Sequence, residues 1–508
     1  MRSAAAPIRM LRPRSVPPGA ARRSAARFRL ARNAPSRSKA TEKEGNVGRS
    51  LAWRIAALAA ALVLLSLTAL GCGEEGGGGG GGEEQAPADP ATARFDLTVG
   101  DLLPLTGDLS PFGPPGRKAA DLAVERARSA LEEAKVNGVG VNVRHADTET
   151  NPQAAVSAAR RLLAADATCL AGAWASADTI PTAQSVAAPQ QTPLISPAST
   201  SAQITTLEDE GFVFRTAPSD NLQGETLADV VEQELGGANK TISVAGRNDA
   251  YGQGLANSFR RAWEAKGGRL TGGPVLYDPE QPSYNSEAER IVAGNPDGYV
   301  VVDFPETYAR MGAALVRTGG FDAGKLFVSD GLAGEELPES IPGEALEGAR
   351  GTRPGTPEEG DAAEAFDRLY SRSDLAPKAR QTFDAQNFDA TLLCFLAAVA
   401  AGSKEGEAIQ GRMRDVSAPP GRAVTFEDLG DAVRALRQGQ DIDYQGASGA
   451  IDLDGQGDPT AATYEVFEYG PNRRFRVTRQ VEARQGQGAT ESSPQSGADG
   501  PGGDGGEE

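Results

Sequence analysis

The central part of the chain alternates short apolar runs with longer amphipathic stretches. From residue 95 onward, runs rich in Val, Ile, Leu and Phe are followed by stretches in which apolar residues recur every three or four positions. Strands that alternate with helices in this way form parallel sheets with crossover helices. Two such series follow one another, so the pattern predicts an α/β fold with two doubly wound, Rossmann-like lobes.

The first series contains five predicted strands and the second contains four. In the first series the strands are 97–103, 139–144, 169–173, 192–195 and 212–216. In the second they are 241–245, 274–277, 299–304 and 325–329. Helical periodicity between them predicts helices at 117–134, 152–165, 223–235, 252–266 and 308–318.

A third group of elements follows residue 360. It comprises predicted helices at 361–370, 384–401 and 426–437 and short strands at 449–453 and 463–468. These are too few for a further domain, so we expect them to complete the two sheets. The chain then crosses between lobes at Pro- or Gly-containing junctions near 218–220, 353–354 and 445–449. The N-terminal lobe is predicted to be 95–218 with 355–446, and the C-terminal lobe 219–354 with 447–478.

The two ends of the chain differ from this middle in composition. Residues 1–54 hold 12 Arg and 2 Lys against two Glu, a net charge of +12, whereas the whole chain carries −18. The remainder is therefore acidic, which argues against a nucleic-acid surface on the folded part. The basic residues 1–50 are compatible with an RNA-binding arm, a transit peptide or untranslated sequence, and we favour the last. The end of the chain, 485–508, is almost all Gly, Ser, Gln and Glu, so we predict a disordered tail at 479–508.

Residues 51–72 have the pattern of a bacterial lipoprotein signal peptide. The run 55–70 is free of charge, short for a membrane-spanning helix and typical of a signal h-region. The segment that ends in Cys72 resembles a lipobox, in which the Cys is lipidated and becomes the new N-terminus, although Ala69 stands where Leu is usual. A membrane-spanning anchor is the alternative. Residues 73–94, with seven consecutive glycines flanked by Glu, predict a flexible tether.

The remaining cysteines, Cys169 and Cys394, each lie in an apolar run. Two buried free thiols are the interpretation that we favour. A disulfide between them is the alternative, because the oxidising compartment implied by a signal peptide permits one.

The chain lacks the residues of common catalytic and metal sites. It has one histidine, His145, which excludes a His-based triad and a multi-His zinc site. Asp452, Asp454 and Asp458 are spaced like part of a calcium loop but lack the distal Glu, so a hairpin turn is the better interpretation. We therefore expect no enzymatic activity, no metal and no cofactor.

Polar and aromatic residues cluster directly after the predicted strands. In open α/β sheets the ligand lies beyond the carboxyl ends of the strands, where the strand order reverses. The segments found there are 104–107, 172–176, 196–200, 249–252, 303–306 and 329–331. Any one of these turns is weak evidence, since Ser, Thr, Asp and Gly cap helices everywhere. Six turns at equivalent places indicate a ligand site.

Six segments together resemble landmarks of the leucine/isoleucine/valine-binding family of type I periplasmic solute-binding proteins. They are LLPLTGDLSPFG, ISPASTSAQIT, VFRTAPSDNLQG, DAYGQG, SDGLAG and YQGASGAIDLDGQGD, within about 95–478. The resemblance implies a monomer whose two lobes, joined by a multi-crossover hinge, close over a small ligand.

The resemblance also implies which residues contact the ligand. Nine residues match ligand-contacting positions of the family: Phe112, Trp174, Ser176, Ala198, Ser199, Thr200, Tyr251, Phe304 and Asp330. In amino-acid-binding members, the positions matching Ser176 and 198–200 hold the ligand's carboxylate and amino group from the first lobe. The position matching Tyr251 closes from the second lobe, and the one matching Asp330 meets the ammonium. The other aromatic residues line the side-chain pocket, and Phe112 stands where some relatives have Tyr, so their hydroxyl contact is not carried over.

The expected function is that of a receptor on the outer face of the cytoplasmic membrane. It captures an amino acid or a related small molecule and delivers it to an ABC permease, while a lipid on Cys72 holds it at the membrane. A ligand sensor on the same fold, with no transport partner, is the alternative. Relatives that share these landmarks bind branched-chain amino acids, other amino acids, amides or aromatic acids.

The lipobox resemblance predicts that Cys72 is the N-terminus of the mature protein. In a bacterial host, Cys72→Ala should move the protein from the membrane fraction to the soluble fraction, because the lipid is the expected anchor. Fractionation and N-terminal mass spectrometry measure this outcome. A variant that stays in the membrane with an intact N-terminus would contradict the lipoprotein interpretation.

Overall fold

The structure is a computed structural model that describes residues 89–335, 337, 339–357, 361–377 and 379–491. The basic segment, the predicted signal peptide with Cys72 and most of the predicted tether lie outside the described residues. The described residues form two α/β lobes with parallel sheets, so the predicted fold class is confirmed.

The first lobe contains a five-stranded parallel sheet. Its strands are β1 (Phe95–Leu103), β2 (Val139–Asp147), β3 (Cys169–Ala171), β4 (Leu194–Ser196) and β5 (Val213–Arg215). Its crossover helices are α1 (Gly113–Glu133), α2 (Pro152–Leu163), α3 (Ser176–Thr182) and α4 (Ala202–Thr205), with a π-helical turn at Ala183–Ala187. The strand order is β2-β1-β3-β4-β5, so the order reverses between β1 and β3.

The second lobe repeats this arrangement. Its parallel strands are β6 (Thr241–Arg247), β7 (Arg269–Leu270), β8 (Val275–Tyr277), β9 (Gly298–Val302), β10 (Leu326–Val328) and β11 (Arg350–Pro354). Its helices are α5 (Asp220–Leu235), α6 (Ala250–Ala265), α7 (Asn285–Val292) and α8 (Pro305–Arg317), with 3-10 turns at Ala323–Lys325, Asp330–Leu332 and Gly343–Ala345. Strands β7 and β8 both pair with β6, which is followed by β9, β10 and β11, so the order reverses between β6 and β9.

The last part of the chain differs from the prediction. Its helices are α9 (Asp361–Arg372), α10 (Asp384–Ala401), α11 (Gly406–Gln410) and α12 (Leu429–Arg437). Its strands are β12 (Arg422–Val424), β13 (Ile442–Gly446), β14 (Gly449–Ala450), β15 (Ala461–Gly470), β16 (Arg474–Arg484) and β17 (Gln487–Glu491). Strands β15 to β17 extend the second sheet in antiparallel fashion, as expected of β15. The predicted strand 449–453 is instead the short β14, which joins β12 and β13 in a separate sheet, because the side chains of Ile442, Tyr444 and Ile451 pack into the first-lobe core.

Two predicted boundaries are wrong. The final crossing between lobes lies between the turn at 452–459 and β15, and not at 445–449, because Leu453 packs in the first-lobe core and Asp458 bonds to Arg215. The predicted tail at 479–508 begins later, since β16 runs to Arg484 and β17 pairs with it. The strand β16 was not predicted because many of its residues are charged, although Val481 and Ala483 in it are buried. The turn predicted at the three aspartates is confirmed by the antiparallel bridge between Leu453 and Pro459.

Helix α10 is the centre of the first-lobe core. Of its eighteen residues, all but the last are buried, and from Leu392 onward the helix is apolar on all sides. It packs against β1, β3 and α1 and ends at Gly402, whose φ of 59° gives the left-handed cap. Among the described residues, none of the helices has both the length and the apolar character that crossing a membrane requires.

A disulfide joins Cys169 in β3 to Cys394 in α10, across 225 residues of sequence. The favoured interpretation of two free thiols was therefore wrong, and the structure contains the alternative, a disulfide. Both residues are fully buried, and the Cα atoms lie 5.9 Å apart because α10 packs directly on the sheet. The bond lies within the first lobe, so it leaves the crossovers between lobes free.

Loss of this disulfide should destabilise the protein. We expect Cys169→Ala with Cys394→Ala to lower the free energy of unfolding by about 2–5 kcal/mol, because closing a long loop restricts the unfolded chain. Chemical denaturation of both proteins measures the difference. A reducing agent should lower the melting temperature of the wild type but not of the double variant, and two titratable thiols in unreduced, unfolded mature protein would contradict the pairing.

Candidate functional site

A cavity lies between the two lobes at the carboxyl ends of their strands. The first lobe contributes the segments that follow β1, β3 and β4, and the second lobe contributes those that follow β6, β9 and β10. Phe383, which precedes α10, completes the wall. The lining residues are Leu109, Phe112, Trp174, Ser176, Ala198, Tyr251, Phe304, Asp330, Gly331 and Phe383. The cavity therefore occupies the crevice that the strand order creates.

Seven of the nine predicted site residues line this cavity together. They are Phe112, Trp174, Ser176, Ala198, Tyr251, Phe304 and Asp330. The other two, Ser199 and Thr200, are fully buried beside it and do not form its wall.

Ser199 and Thr200 have structural surroundings. Ser199 Oγ donates to the Trp174 carbonyl at 3.0 Å and lies 2.7 Å from Thr179 Oγ1, so it ties two first-lobe loops together. The Thr200 carbonyl accepts a hydrogen bond at 2.7 Å from the backbone N–H of Asp220, the first residue of α5 in the second lobe. Both residues therefore support the wall from behind.

Arg215 holds the loop that carries Ala198, Ser199 and Thr200. Its Nη1 donates to the carbonyls of Ser199 and Ser201, at 3.1 and 3.0 Å. Its Nε donates to Asp458 Oδ1 at 2.7 Å, and its Nη2 donates to Asp458 Oδ2 and to Thr205 Oγ1. The guanidinium is fully buried, and its position fixes the loop relative to the turn at 452–459.

Ser176 contributes a hydroxyl to the first-lobe side of the cavity. It begins α3, and its Oγ accepts a hydrogen bond from the Ser201 backbone N–H at 3.2 Å. Since that bond uses a lone pair, the hydroxyl hydrogen remains available to donate to a ligand. A ligand carboxylate is a suitable acceptor for such a donor.

Asp330 provides the carboxylate on the second-lobe side. It follows β10, and its Oδ1 accepts hydrogen bonds from Gln223 Nε2 at 2.6 Å and from Tyr251 Oη at 3.1 Å. Tyr251 Oη in turn accepts from the Gly331 backbone N–H at 3.2 Å. Neither side-chain donor bonds to Asp330 Oδ2, so this oxygen can accept a hydrogen bond from a cationic group in the cavity. Burial raises the pKa of Asp330 to about 6, although its two donors oppose the shift.

A second carboxyl group, Asp220, lies beside Asp330. It begins α5, one helical turn before Gln223, and it is fully buried. Burial, together with the charge of Asp330, raises the pKa of Asp220 to about 8, and the Thr200 hydroxyl opposes this shift. Because burial and the repulsion between the two groups disfavour ionisation of both, the pair favours a single negative charge, which matches one ligand cation.

Aromatic rings form the apolar wall of the cavity. Tyr251 and Phe304 stack with centroids 5.0 Å apart, and Trp174 meets Phe383 edge to face at 6.4 Å. Gly116 in α1 makes room for Trp174, since a Cβ atom at this position would lie 2.3 Å from its ring. This wall suits an apolar ligand side chain.

Sequence reasoning missed several residues of the site. Asp220 and Gln223 lie in the segment VFRTAPSDNLQG, whose likeness to the family was noted without assigning them a role. The position of Asp220 after a strand-end Pro-Ser, at the start of a helix, was the available signal. Leu109 and Phe383 had no such signal, because Leu109 lies midway in a loop and Phe383 precedes a helix far along the chain.

The comparison with known proteins agrees with this architecture. A model of the periplasmic binding protein family matches residues 96–458. The chemotactic signal transduction system substrate-binding protein BasB of Halobacterium salinarum is 28% identical over 73% of this chain and 86% of the relative. Leu/Ile/Val-binding protein homolog 3 of Brucella melitensis is 26% identical over 75% of this chain and 93% of the relative. The solved structure of the leucine binding protein LivK of Thermotoga maritima has a TM-score of 0.61 at 23% identity, covering 76% of this chain and 98% of that one.

The chain belongs to the periplasmic binding protein family. The match runs through both lobes, and the structural neighbours are type I binding proteins, so the resemblance to the leucine/isoleucine/valine-binding group is confirmed. Members of this family are extracytoplasmic receptors for small solutes. The roles of the individual cavity residues remain predictions.

The raised pKa of Asp330 predicts that ligand affinity depends on pH. A ligand ammonium needs the ionised carboxylate, and ionisation is lost as the pH falls through about 6. For one such group, affinity for a bound amino acid should fall about tenfold between about pH 7 and about pH 5. Calorimetric titration at constant ionic strength measures this change, with circular dichroism to show that the fold persists. Asp330→Asn should remove most of the dependence, and a flat wild-type profile would contradict the role of Asp330.

Proposed function

We propose that the protein is a receptor for a free amino acid, which it encloses between its lobes. One observation carries the proposal: Asp330 with Tyr251 on the second lobe and the Ser176 hydroxyl on the first lobe line the same mostly apolar cavity. A donor for a carboxylate and an acceptor for an ammonium thus lie on opposite lobes. A zwitterion that bridges them stabilises the closed arrangement.

The apolar wall supports an aliphatic or aromatic ligand side chain. Leu109, Phe112, Trp174, Phe304 and Phe383 offer no charged group to the cavity. A charged ligand side chain would have to lose its hydration against this wall without a partner, which is costly. The name of the Brucella melitensis relative, a Leu/Ile/Val-binding protein homolog, agrees with a branched-chain ligand.

We further propose that the receptor delivers its ligand to an ABC permease, as a lipoprotein anchored through Cys72. The predicted signal peptide and glycine-rich tether support this extension. A tether holds the receptor at a high local concentration beside a membrane partner. Genes for a permease and an ATPase next to the gene for this protein would support this partner.

A sensory role is the second candidate, favoured by the likeness to BasB, which is named as part of a chemotactic signal transduction system. In that case the closed protein docks on a transmembrane receptor and not on a permease. Uptake of radiolabelled ligand by cells that lack the gene distinguishes the two roles. Uptake falls if the protein serves a permease, and uptake is unchanged while the behavioural response is lost if it serves a sensor.

The proposed function predicts that Asp330→Ala weakens ligand binding and leaves the fold intact. A thermal-shift screen of the mature domain against amino acids, their amides and benzoate identifies the ligand, since a ligand at 100 times its Kd stabilises by about 2.7 kcal/mol. For that ligand, calorimetry on Asp330→Ala should show a loss of about 2–5 kcal/mol, because the buried ammonium loses its partner. This loss corresponds to roughly 30-fold to several-thousand-fold weaker binding.

The control for this experiment is Asp322→Ala, which removes an exposed turn carboxylate of the same lobe outside the cavity. Its affinity should equal that of the wild type. A loss below about threefold in Asp330→Ala would overturn the ammonium role. If no amino acid stabilises the wild type, the proposed function is wrong.

A further inference from the structure

A group of hydrogen bonds outside the cavity joins the two lobes. Arg247 Nη1 and Thr307 Oγ1 of the second lobe both donate to Asp108 Oδ2 of the first lobe, at 3.0 and 2.9 Å. Nearby, Ser201 Oγ donates to the Ala250 carbonyl at 2.9 Å. Moving the lobes apart separates these donors from their acceptors, so the bonds belong to the closed arrangement of the lobes.

Arg247 ends β6 and is nearly buried in an acidic environment. Its Nε donates to Asp249 Oδ2 at 2.5 Å, and its Nη1 lies 3.9 Å from Asp303 Oδ1. Burial opposes the charge of the guanidinium, but the carboxylates of Asp249, Asp303 and Asp108 hold its pKa above the ordinary value. The guanidinium is therefore charged at all physiological pH values, and among the described residues Asp108 forms its ion pair with the other lobe.

Arg247 also contacts the wall of the ligand cavity. Its guanidinium carbon lies 3.9 Å from the centroid of the Phe304 ring, on the face of that ring. Phe304 stacks on Tyr251, which donates to Asp330. One guanidinium thus supports the aromatic pair that the proposed ligand meets from the second lobe.

Asp108 is connected to the opposite wall of the cavity. It precedes Leu109, a lining residue, in the loop between β1 and α1. The preceding Gly107 has a φ of 86°, and a Cβ atom there would lie 2.2 Å from the Glu149 carbonyl oxygen. The close packing of this turn sets the position from which Asp108 reaches the second lobe.

We propose that Arg247 is a positioning residue of the ligand site and that Asp108 is its partner in the closed protein. When the lobes close, the guanidinium bonds to Asp108 and, over the face of Phe304, holds that ring, and through it also Tyr251, against the ligand. The effect on the ligand rests on the proposed function, whereas the contact of Arg247 with Asp108 is proposed to favour the closed lobes whether or not a ligand is bound.

The proposal makes a kinetic distinction. A contact that forms only after closure slows ligand release and has little effect on ligand entry, because the encounter precedes closure. The Asp108 side chain is 28% exposed, so the pair is partly screened by solvent and its effect is modest. We expect Asp108→Asn to raise koff by about 3- to 10-fold and to change kon by less than about twofold.

The experiment is stopped-flow measurement of binding with L-leucine as the probe, or with the amino acid that the thermal-shift screen identifies. Asp108→Glu should release the probe more slowly than Asp108→Asn, because it keeps the charge. Arg247→Lys should raise koff at least as much as Asp108→Asn does. Lysine keeps the charge but lacks the planar guanidinium, which can donate several hydrogen bonds and contact an aromatic ring at the same time. Adding Asp108→Asn to Arg247→Lys should then change koff little further.

The matched control is Asp415→Asn, which removes the partner of Arg412 at the same distance of 3.0 Å on the surface of the first lobe. It should leave both rate constants unchanged. A wild-type koff in Asp108→Asn, or fully multiplicative effects of the two substitutions, would overturn the proposal.

A second measurement separates this proposal from the proposed function. If no amino acid binds the wild type, small-angle scattering in about 20 mM salt compares the proteins without ligand, since low salt strengthens the pair. A larger radius of gyration for Asp108→Asn than for the wild type and Asp415→Asn supports the contact between lobes. Equal radii in all three overturn it.

Discussion

The buried ion pair between Arg215 and Asp458 is the contact on which the geometry of the site depends. All five N–H donors of the guanidinium have acceptors, on Asp458, Thr205 and the carbonyls of Ser199 and Ser201. Satisfying every donor offsets the desolvation of the charge, whereas loss of one partner would leave a bare charge at a cost of about 3–5 kcal/mol. The ligand-facing loop and the final crossover between lobes are therefore fixed by the same side chain.

The two lobes contribute different chemistry to one cavity. On the first lobe, buried hydroxyls such as Ser199 Oγ satisfy backbone carbonyls, which leaves Ser176 as the hydroxyl that faces the cavity. On the second lobe, Asp330 and Tyr251 have partners that orient them without neutralising the charge. Positive charge near the cavity is engaged elsewhere, because Arg215 bonds to Asp458 and Arg247 is surrounded by carboxylates. The cavity therefore presents a net acidic end, as an ammonium requires.

Much of this arrangement follows from the sequence by one physical rule. Residues that come directly after parallel strands meet at one edge of a sheet, and this rule placed Trp174, Tyr251 and Asp330 in a common cavity. The rule does not tell which member of a loop faces inward, and the family resemblance, which assigned Ser199 and Thr200 to the ligand, did not show that both lie behind the wall. The rule also does not predict Phe383, because this residue does not follow a strand. It directly precedes α10, after the chain has returned from the second lobe to the first. The pairing of Cys169 with Cys394 was equally hidden, because it depends on how α10 packs on β3.

The position of α10 makes the first lobe dependent on sequence that follows the second lobe. Strand β3 and helix α10, joined by the disulfide, are separated by the whole of the second-lobe parallel sheet. During synthesis, the apolar faces of β1 and β3 thus emerge long before the helix that covers them. Until α10 has been synthesised, the core of the first lobe is incomplete and its apolar surface is exposed. By that stage all the parallel strands of the second lobe have been synthesised. The parallel strands of the second lobe consequently all precede the helix that completes the first-lobe core, although the first lobe begins earlier in the chain.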